Sequence, residues 1–269
     1  NSSHREYSLD AANIHNNYAA TAFVAGLYDE AGPQFERALM LQSERFGPSA
    51  ALAALLSNYA RFELARGHMD AAVEQAVSAV AMMREYAGEE SVDVQLVRVT
   101  EAIVAGFKGQ HDKAADVFAL AEQQLASALP PSHSLLDHVR AAELGMRAWR
   151  GSVKPADPEF DRLLTTLDTP ATSRQRAELA CHRSRLALER EQLTLALDSA
   201  QTCIEAWLFT QADASPRLIS ARFLQAEARY RQEPSAATRQ QRDAALTLAE
   251  ASLPPASPER MAVASVSKN

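Results

Sequence analysis

Aromatic residues, cysteines and long apolar runs are scarce in this chain. Aromatics make up 6% of its 269 residues, although hydrophobic residues make up 47%, chiefly alanine and leucine. Small, unbranched side chains of this kind favour helices over strands. Two cysteines, Cys181 and Cys203, are too few for a disulfide scaffold and lack the spacing of a zinc site. No stretch reaches the roughly 18 apolar residues that span a bilayer, so we expect no membrane insertion.

An excess of positive charge is missing as well. The net charge is −7, and all of it comes from residues 1–150. An acidic total argues against nonspecific binding to phosphates without excluding a local basic groove, and we expect no nucleic-acid partner. The seven histidines form no metal-binding pair, and neither a glycine-rich phosphate loop nor a nucleophile motif occurs. The sequence therefore predicts a protein that is not an enzyme, with no cofactor and no metal.

What the chain has instead is a repeated turn. The pattern Gly, two residues, Asp, one residue, Ala recurs at 26–31, 67–72 and 109–114, so its glycines lie 41 and 42 residues apart. Apolar residues at helical spacing flank each turn. A turn repeated at a fixed period indicates one structural unit copied along the chain. We predict a helix A, a left-handed glycine turn and a helix B capped by Asp29, Asp70 or Asp112.

Weaker copies extend the period to the end of the chain. Gly151 continues it, with Asp157 and Pro158 predicted to start a late helix B, and Thr194 is predicted to cap the helix of a fifth copy that lacks the glycine. The sequence thus predicts an all-α fold of about six helical hairpins, or about twelve helices. The predicted units span residues 7–47, 48–88, 89–130, 131–170, 171–213 and 214–252, and we expect a flexible tail over 253–269.

The Gly–x–x–Asp–x–Ala turn resembles the tetratricopeptide repeat. In that family an aromatic residue and a second alanine follow, as Phe35 and Ala38 do after Gly26. The period exceeds the usual 34 residues. Together with Asn-Asn-Tyr-Ala at 16–19 and Ser-Asn-Tyr-Ala at 57–60, it is similar to the kinesin-light-chain type of repeat. The resemblance implies a right-handed superhelical α-solenoid in which the A helices line a concave groove.

The same resemblance implies a set of groove residues for a protein or peptide partner. They are Asn13, Asn16, Asn17, Phe23, Asn58, Arg61, Leu64, Thr100, Ile103 and Arg185. The asparagines stand out because a primary amide donates to and accepts from a peptide backbone at once, whereas asparagine is a mediocre residue inside helices. One interpretation is a peptide clamp. The other is that these amides bond neighbouring helices or preceding carbonyls.

Arginines crowd the predicted fifth and sixth A helices. They are Arg174, Arg176, Arg183, Arg185, Arg190, Arg217, Arg222, Arg229 and Arg231. They could form a groove for an anionic ligand. We favour the alternative, solvated faces on which they pair with Glu178, Glu189, Glu191 and Glu227 at helical spacing.

Three functions remain open from the sequence. The first is a scaffold module that binds a peptide or protein segment in its groove, as part of a larger bacterial signalling or regulatory protein. The alternative is a ligand- or peptide-sensing regulatory domain of a kinase or transcription regulator, with the irregular fourth unit as a hinge. The third is a self-assembly element, which makes a homodimer an option. The sequence favours a cytoplasmic location without determining it.

Overall fold

A computed structural model describes residues 2–267, with side chains from residue 11 onward except that of Arg45. The chain divides into two compact units, Asn1–Pro131 and Ser132–Asn269. The first unit contains α1 Ser2–Val24, α2 Tyr28–Arg45, α3 Ala50–Ala65, α4 Met69–Ala87, α5 Val92–Phe107 and α6 His111–Ala128.

The second unit is also helical, and no strand occurs anywhere in residues 2–267. It contains α7 Ser134–Arg150, α8 Pro158–Thr166, a single 3₁₀ turn at Pro170–Thr172, α9 Ser173–Glu189, α10 Leu193–Trp207, α11 Pro216–Gln232, α12 Ala236–Ser252 and α13 Pro258–Val266.

Consecutive helices pair into hairpins. In the first unit α1 packs on α2, α3 on α4, and α5 on α6, and each later helix A also packs on the helix B before it. In the second unit α9 pairs with α10, and α11 with α12. The prediction of an all-α fold built from stacked helical hairpins is confirmed.

Left-handed residues close the hairpins. Gly26, Gly67 and Gly109 have φ values of 79°, 79° and 82°, a conformation that costs glycine little. Each turn is closed by a backbone bond five residues back, such as the amide of Leu27 donating to the carbonyl oxygen of Ala22 at 2.9 Å. The fifth hairpin lacks the glycine, and there Glu191 adopts the left-handed conformation instead, at φ 57°.

The predicted capping by Asp29, Asp70 and Asp112 is wrong. Helices α2, α4 and α6 begin earlier, and their N-caps lie two residues before these aspartates and make no side-chain capping bond. The left-handed turn already directs the chain into the helix, so each aspartate falls in the first turn. There its charge complements the positive end of the helix dipole.

Thr194 likewise follows the N-cap of α10, whereas Asp157 does cap α8, where its Oδ1 accepts from the amide of Glu159 at 3.0 Å. Serines provide the caps that the sequence reading missed. Ser49 and Ser91 in the connectors accept the amides of Leu52 and Val94, both at 3.2 Å, as serine at an N-cap commonly does.

Phe62 lies at the centre of the first unit's core. Its ring centroid is 5.3 Å from that of Phe35, 5.8 Å from that of Phe23 and 6.0 Å from that of Tyr59. Gly32 lets the ring approach, because a Cβ there would lie 3.3 Å from Cζ of Phe62. Helices α1, α2 and α3 therefore share one aromatic cluster, despite the low aromatic content of the chain.

The fourth hairpin is irregular, as its sequence suggests. Helix α8 has nine residues, and its buried Phe160 and Leu163 join a core shared with α7, α9 and α10. A disulfide between Cys181 of α9 and Cys203 of α10, with Cα atoms 5.3 Å apart, ties the next hairpin together. Cys203 is fully buried as well as covalently bonded.

The segment expected to be a flexible tail differs from that expectation. Helix α13 begins at Pro258, and Ser257 caps it by accepting the amide of Arg260 at 3.2 Å. Its Val263 and Val266 are buried against α11 and α12. The proline-rich stretch before it suggested disorder, but that stretch only connects two helices. Residues 268 and 269 lie outside the described residues.

Candidate binding surface

Polar side chains lie along one side of α1 and α3. This helix-A face consists of Asn13, Asn16, Asn17, Asn58 and Arg61. Asn13 and Asn17 are exposed, and the other three are partly exposed. Helix propensity alone would disfavour so many asparagines within helices. Their position at an accessible surface is what a binding role requires.

Two of these amides meet between the helices. Nδ2 of Asn58 donates to Oδ1 of Asn16 at 3.5 Å, which is long for a hydrogen bond. The contact uses one donor of Asn58 and one acceptor of Asn16, and each amide has further capacity for another bond. The structure thus brings Asn16 and Asn58 together, and part of the interpretation that these amides bond neighbouring helices holds.

The same contact recurs one hairpin further on in a buried form. Oγ of Ser57 on α3 donates to Oγ1 of Thr100 on α5 at 3.0 Å. Ser57 follows Asn16 by 41 residues and Thr100 follows Asn58 by 42, which are the same intervals as those between the turn glycines. Polar contacts therefore join successive A helices. The contact between α1 and α3 is partly accessible to solvent, and the contact between α3 and α5 is buried.

Three predicted groove residues are buried in the hydrophobic core. Phe23, Leu64 and Thr100 expose only 4%, 5% and 4% of their surface, so they offer a ligand almost nothing to contact. Phe23 packs on the Phe62 ring, and Leu64 packs on Ala60 and Ala72. The predicted groove face therefore extended too far around the helices at these three residues, whereas the asparagines stay a prediction. Ile103 is partly exposed.

Arg185 belongs to the second unit and is also buried. Its Nη2 donates to the carbonyl oxygens of Ala148 and Trp149 at 2.7 and 3.0 Å, and its Nη1 pairs with Glu189. The guanidinium lies 4.7 Å from the centroid of Trp149. Arg185 therefore connects α9 to α7, and this role is structural. Burial, with a contribution from this cation, lowers the pKa of the neighbouring His182 to about 4.

The arginines of the second unit pair locally. The pairs are Arg174 with Glu178 at 3.0 Å, Arg176 with Asp168 at 3.0 Å, Arg183 with Asp161 at 2.7 Å, Arg222 with Asp213 at 3.2 Å, and Arg231 with Glu227 at 2.6 Å and Glu191 at 3.2 Å. The expected partners Glu178, Glu189, Glu191 and Glu227 all take part. This arrangement supports the ion-pair interpretation over an anion groove.

One buried carboxylate on α3, the helix that also carries Asn58 and Arg61, was not predicted from the sequence. Glu63 is 4% exposed, and its Oε2 lies 2.6 Å from Nδ1 of His68. Burial, followed by the nearby Glu63 charge, raises the pKa of Tyr59 to about 12. The sequence signal for this buried carboxylate was that Glu63 is the single acidic residue in the apolar run before Gly67. These contacts fix the turn between α3 and α4.

The described residues contain no group of three or more His, Cys, Asp or Glu side chains arranged to hold a metal. Across the same part of the chain, no helix combines the length and the apolar composition needed to cross a membrane.

Comparison with known families identifies the hairpins. The family model described as tetratricopeptide repeat matches residues 10–85, which cover most of α1 and all of α2 and α3, and α4 up to Glu85. The first two hairpins are therefore recognised as tetratricopeptide repeats, and the resemblance is confirmed to that extent. The kinesin-light-chain type stays a prediction. No curated protein matches the chain.

Tetratricopeptide repeats generally mediate protein–protein interaction and scaffolding, and they are typically not catalytic.

Proposed function

We propose that the helix-A face of the first unit binds an extended segment of a partner protein. The observation that carries this proposal is the half-exposed amide pair of Asn16 and Asn58, flanked by exposed Asn13 and Asn17 on the same side. Amides in this arrangement can bond the backbone of a peptide irrespective of its side chains. Arg61 adds a cation to which an acidic side chain or a carbonyl oxygen would bind.

Burial of three predicted groove residues limits the surface that a ligand can contact. With Phe23, Leu64 and Thr100 in the core, the partner contacts a polar face with little apolar surface. Binding then depends on hydrogen bonds, each worth about 0.5–1.5 kcal/mol net. We therefore propose a weak, exchangeable interaction, which suits a scaffold in a signalling or regulatory protein.

The test uses a random peptide library displayed on phage and selected on the full chain. Selected peptides are then measured by fluorescence anisotropy against the wild type and against Asn17→Ala/Asn58→Ala. We expect at least a tenfold loss of affinity in the double variant, because two amide contacts are removed. Alanine is the better helix former, so the fold is retained. The matched control is Gln123→Ala, which removes an exposed amide from α6.

Unchanged affinity in the double variant, with helix content preserved in circular dichroism, would contradict the proposal. So would a selection that enriches no peptide over the unselected library in repeated rounds.

Self-assembly is a second candidate because of one specific observation. Ile14 is 65% exposed, whereas Leu55, Val97, Val139 and Leu179, which follow it at the repeat spacing, are at most 4% exposed. Leu55 packs on α2, the helix B that precedes it. Helix α1 therefore presents the stacking residue of an interior hairpin to solvent, together with the half-exposed Tyr18.

Multi-angle light scattering across a concentration series tests this second candidate. We expect a wild-type dimer that Ile14→Glu dissociates, while Gln123→Glu leaves it intact. A wild-type protein that is monomeric at the highest concentration removes this candidate.

A further inference from the structure

Helix α13 is a short helix held in place by other helices. It has nine residues, and helices of that length are unstable alone in water. It packs on α9, α11 and α12. Two of these, α9 and α11, are A helices of the fifth and sixth hairpins. Its ordered state therefore depends on the surface beneath it.

Two arginines of α11 contact the two ends of α13. Nε of Arg217 lies 3.8 Å from Oε1 of Glu259 in the first turn. Nη2 of Arg231 donates to the carbonyl oxygen of Val266, the last residue of the helix. Carbonyls of a last helical turn have no partner within their own helix, so Arg231 binds a helix end. The α11 side chains thus contact both ends of a helix about two turns long.

Between the ends, the contact is apolar. Val263 and Val266 are 2% and 0% exposed, and they share a cluster with Leu224 and Phe223 of α11 and Leu188 of α9. Oγ of Ser220 donates to the carbonyl oxygen of Glu259 at 3.4 Å. We call this surface, formed by Leu188, Arg217, Ser220, Leu224 and Arg231, the α13 seat.

The α13 seat lies at the repeat positions where the first unit carries its asparagines. One series of positions at intervals of 40 to 42 residues is Asn13, Ala54, Leu96, His138, Glu178 and Ser220. Ser220 of the seat is thus equivalent to the exposed Asn13. Helix α13 therefore covers, in the second unit, the repeat position that is exposed at Asn13 in the first unit.

One contact in the seat is unfavourable. Oε2 of Glu259 is buried without a hydrogen-bond partner, and a buried, unsatisfied carboxylate oxygen opposes packing. Its ion pair with Arg217 is long. The connector at 254–257 contains two prolines, and Ala256 adopts a positive φ of 59°. Helix α13 is therefore held less favourably than its apolar contacts alone would allow.

We propose that the α13 seat is a docking site for an amphipathic helix of a partner protein, which displaces α13. The chemistry of the seat specifies the partner: a short helix with two aliphatic residues three positions apart, ending where Arg231 binds its last carbonyl, and carrying no buried carboxylate in its first turn. The proposal goes beyond the proposed function, because it concerns the second unit and stands if the first unit binds nothing.

The test uses the full chain and a labelled synthetic peptide with the α13 sequence, residues 256–267. Val263→Asp/Val266→Asp disables the chain's own helix, since both valines are buried. The matched control is Ser265→Asp, which places the same charge on the exposed side of α13. In fluorescence anisotropy we expect the peptide to bind the double variant at least tenfold more tightly than the wild type or the control. Adding Arg231→Ala to the double variant should weaken binding again.

Equal affinity for all three proteins, with equal helix content, would overturn the proposal. If the double variant fails to unfold cooperatively, hydrogen–deuterium exchange on the wild type decides the question. We expect the amides of α13 to exchange at least a hundredfold faster than those of α11. Equal protection of the two helices would mean that α13 does not leave its seat and would refute displacement.

Discussion

At the scale of single residues, the fold depends on a few side chains in defined positions. Phe62 contacts rings from three directions, and the glycines of the hairpin turns adopt a conformation that other residues rarely take. The sequence made the glycines visible because they recur. It did not single out Phe62, since its importance comes from ring contacts between helices that are distant in the chain.

Replacing Phe62 by alanine should strongly destabilise the first unit. Removing a buried phenylalanine ring costs about 3–5 kcal/mol, and Phe62 is 1% exposed. Urea unfolding followed by circular dichroism measures the loss. The control is Phe209→Ala, at a ring that is 69% exposed, for which the change should stay within about 0.5 kcal/mol. Similar losses in both variants would refute the central role of Phe62.

The turn residues should respond to substitution in opposite directions. Gly109→Ala places a Cβ in open space but at φ 82°, so only the backbone conformation is penalised, by about 1 kcal/mol. Glu191→Gly relieves a left-handed residue at φ 57° and should be neutral or stabilising by up to about 1 kcal/mol. Urea midpoints of the two variants measure the contrast. A loss of stability in Glu191→Gly as large as in Gly109→Ala would contradict it.

At the scale of helices, N-caps determine where each helix begins, and contacts between paired helices, including the disulfide, stabilise the hairpins. The sequence predicted the existence of the helices better than their starts, because Asp29, Asp70 and Asp112 are plausible caps in any sequence reading. The left-handed turn moved the actual starts two residues earlier. Helix α13 was not predicted because it contains few apolar residues, and these stabilise a helix only when they pack on α9 and α11.

Reduction of the disulfide should weaken the fifth hairpin. Cys181 and Cys203 are 22 residues apart, and a crosslink closing a loop of that size stabilises by about 3 kcal/mol. We expect dithiothreitol to lower the urea midpoint of the wild type. The control is Cys181→Ser, whose midpoint should not respond to dithiothreitol. A wild type that is equally stable with and without the reductant would refute this expectation.

Glu259 should make stability depend on pH. Burial raises the pKa of its carboxyl, the nearby Glu178 adds to the rise, and Arg217 opposes it. A raised pKa in the folded state means a contribution that is complete below the ordinary glutamate pKa and lost as the pH rises through the folded value. Glu259→Gln should therefore gain stability relative to the wild type as the pH increases.

Urea midpoints of the wild type and Glu259→Gln at pH 4.5 and pH 7.5 measure this effect. We expect the difference in favour of the variant to be larger at pH 7.5. A difference that is the same at both pH values would show that the carboxyl does not titrate in its buried position.

At the scale of the whole molecule, the repeated turn carried most of what could be predicted. It specified helical hairpins in series, and residues 10–85 match the tetratricopeptide repeat family. The exposure of the proposed binding residues was only partly predictable. Asn13, Asn16 and Asn17 lie on an accessible side of α1, whereas Phe23 lies in the core. Periodicity shows which residues share a helix face, but exposure depends on how far neighbouring helices cover that face.

The disulfide also bears on where the molecule works. Disulfides persist mainly in oxidising compartments, while cytosolic thiols are kept reduced. The cytoplasmic location that the sequence favoured stays a prediction, and whether the bond between Cys181 and Cys203 forms in the cell would test it. Pairing in the fold depends on the two cysteines meeting across a hairpin, which their spacing in the sequence does not reveal.

Because that bond joins two helices of one hairpin, it also limits how far the chain can be stretched. If the molecule were pulled from its two ends in an optical trap, the 22-residue loop between the sulfurs would stay closed. At about 3.5 Å per extended residue, the oxidised chain would reach roughly 7 nm less than the reduced one. Reduction of the disulfide would therefore increase the extended length of the chain.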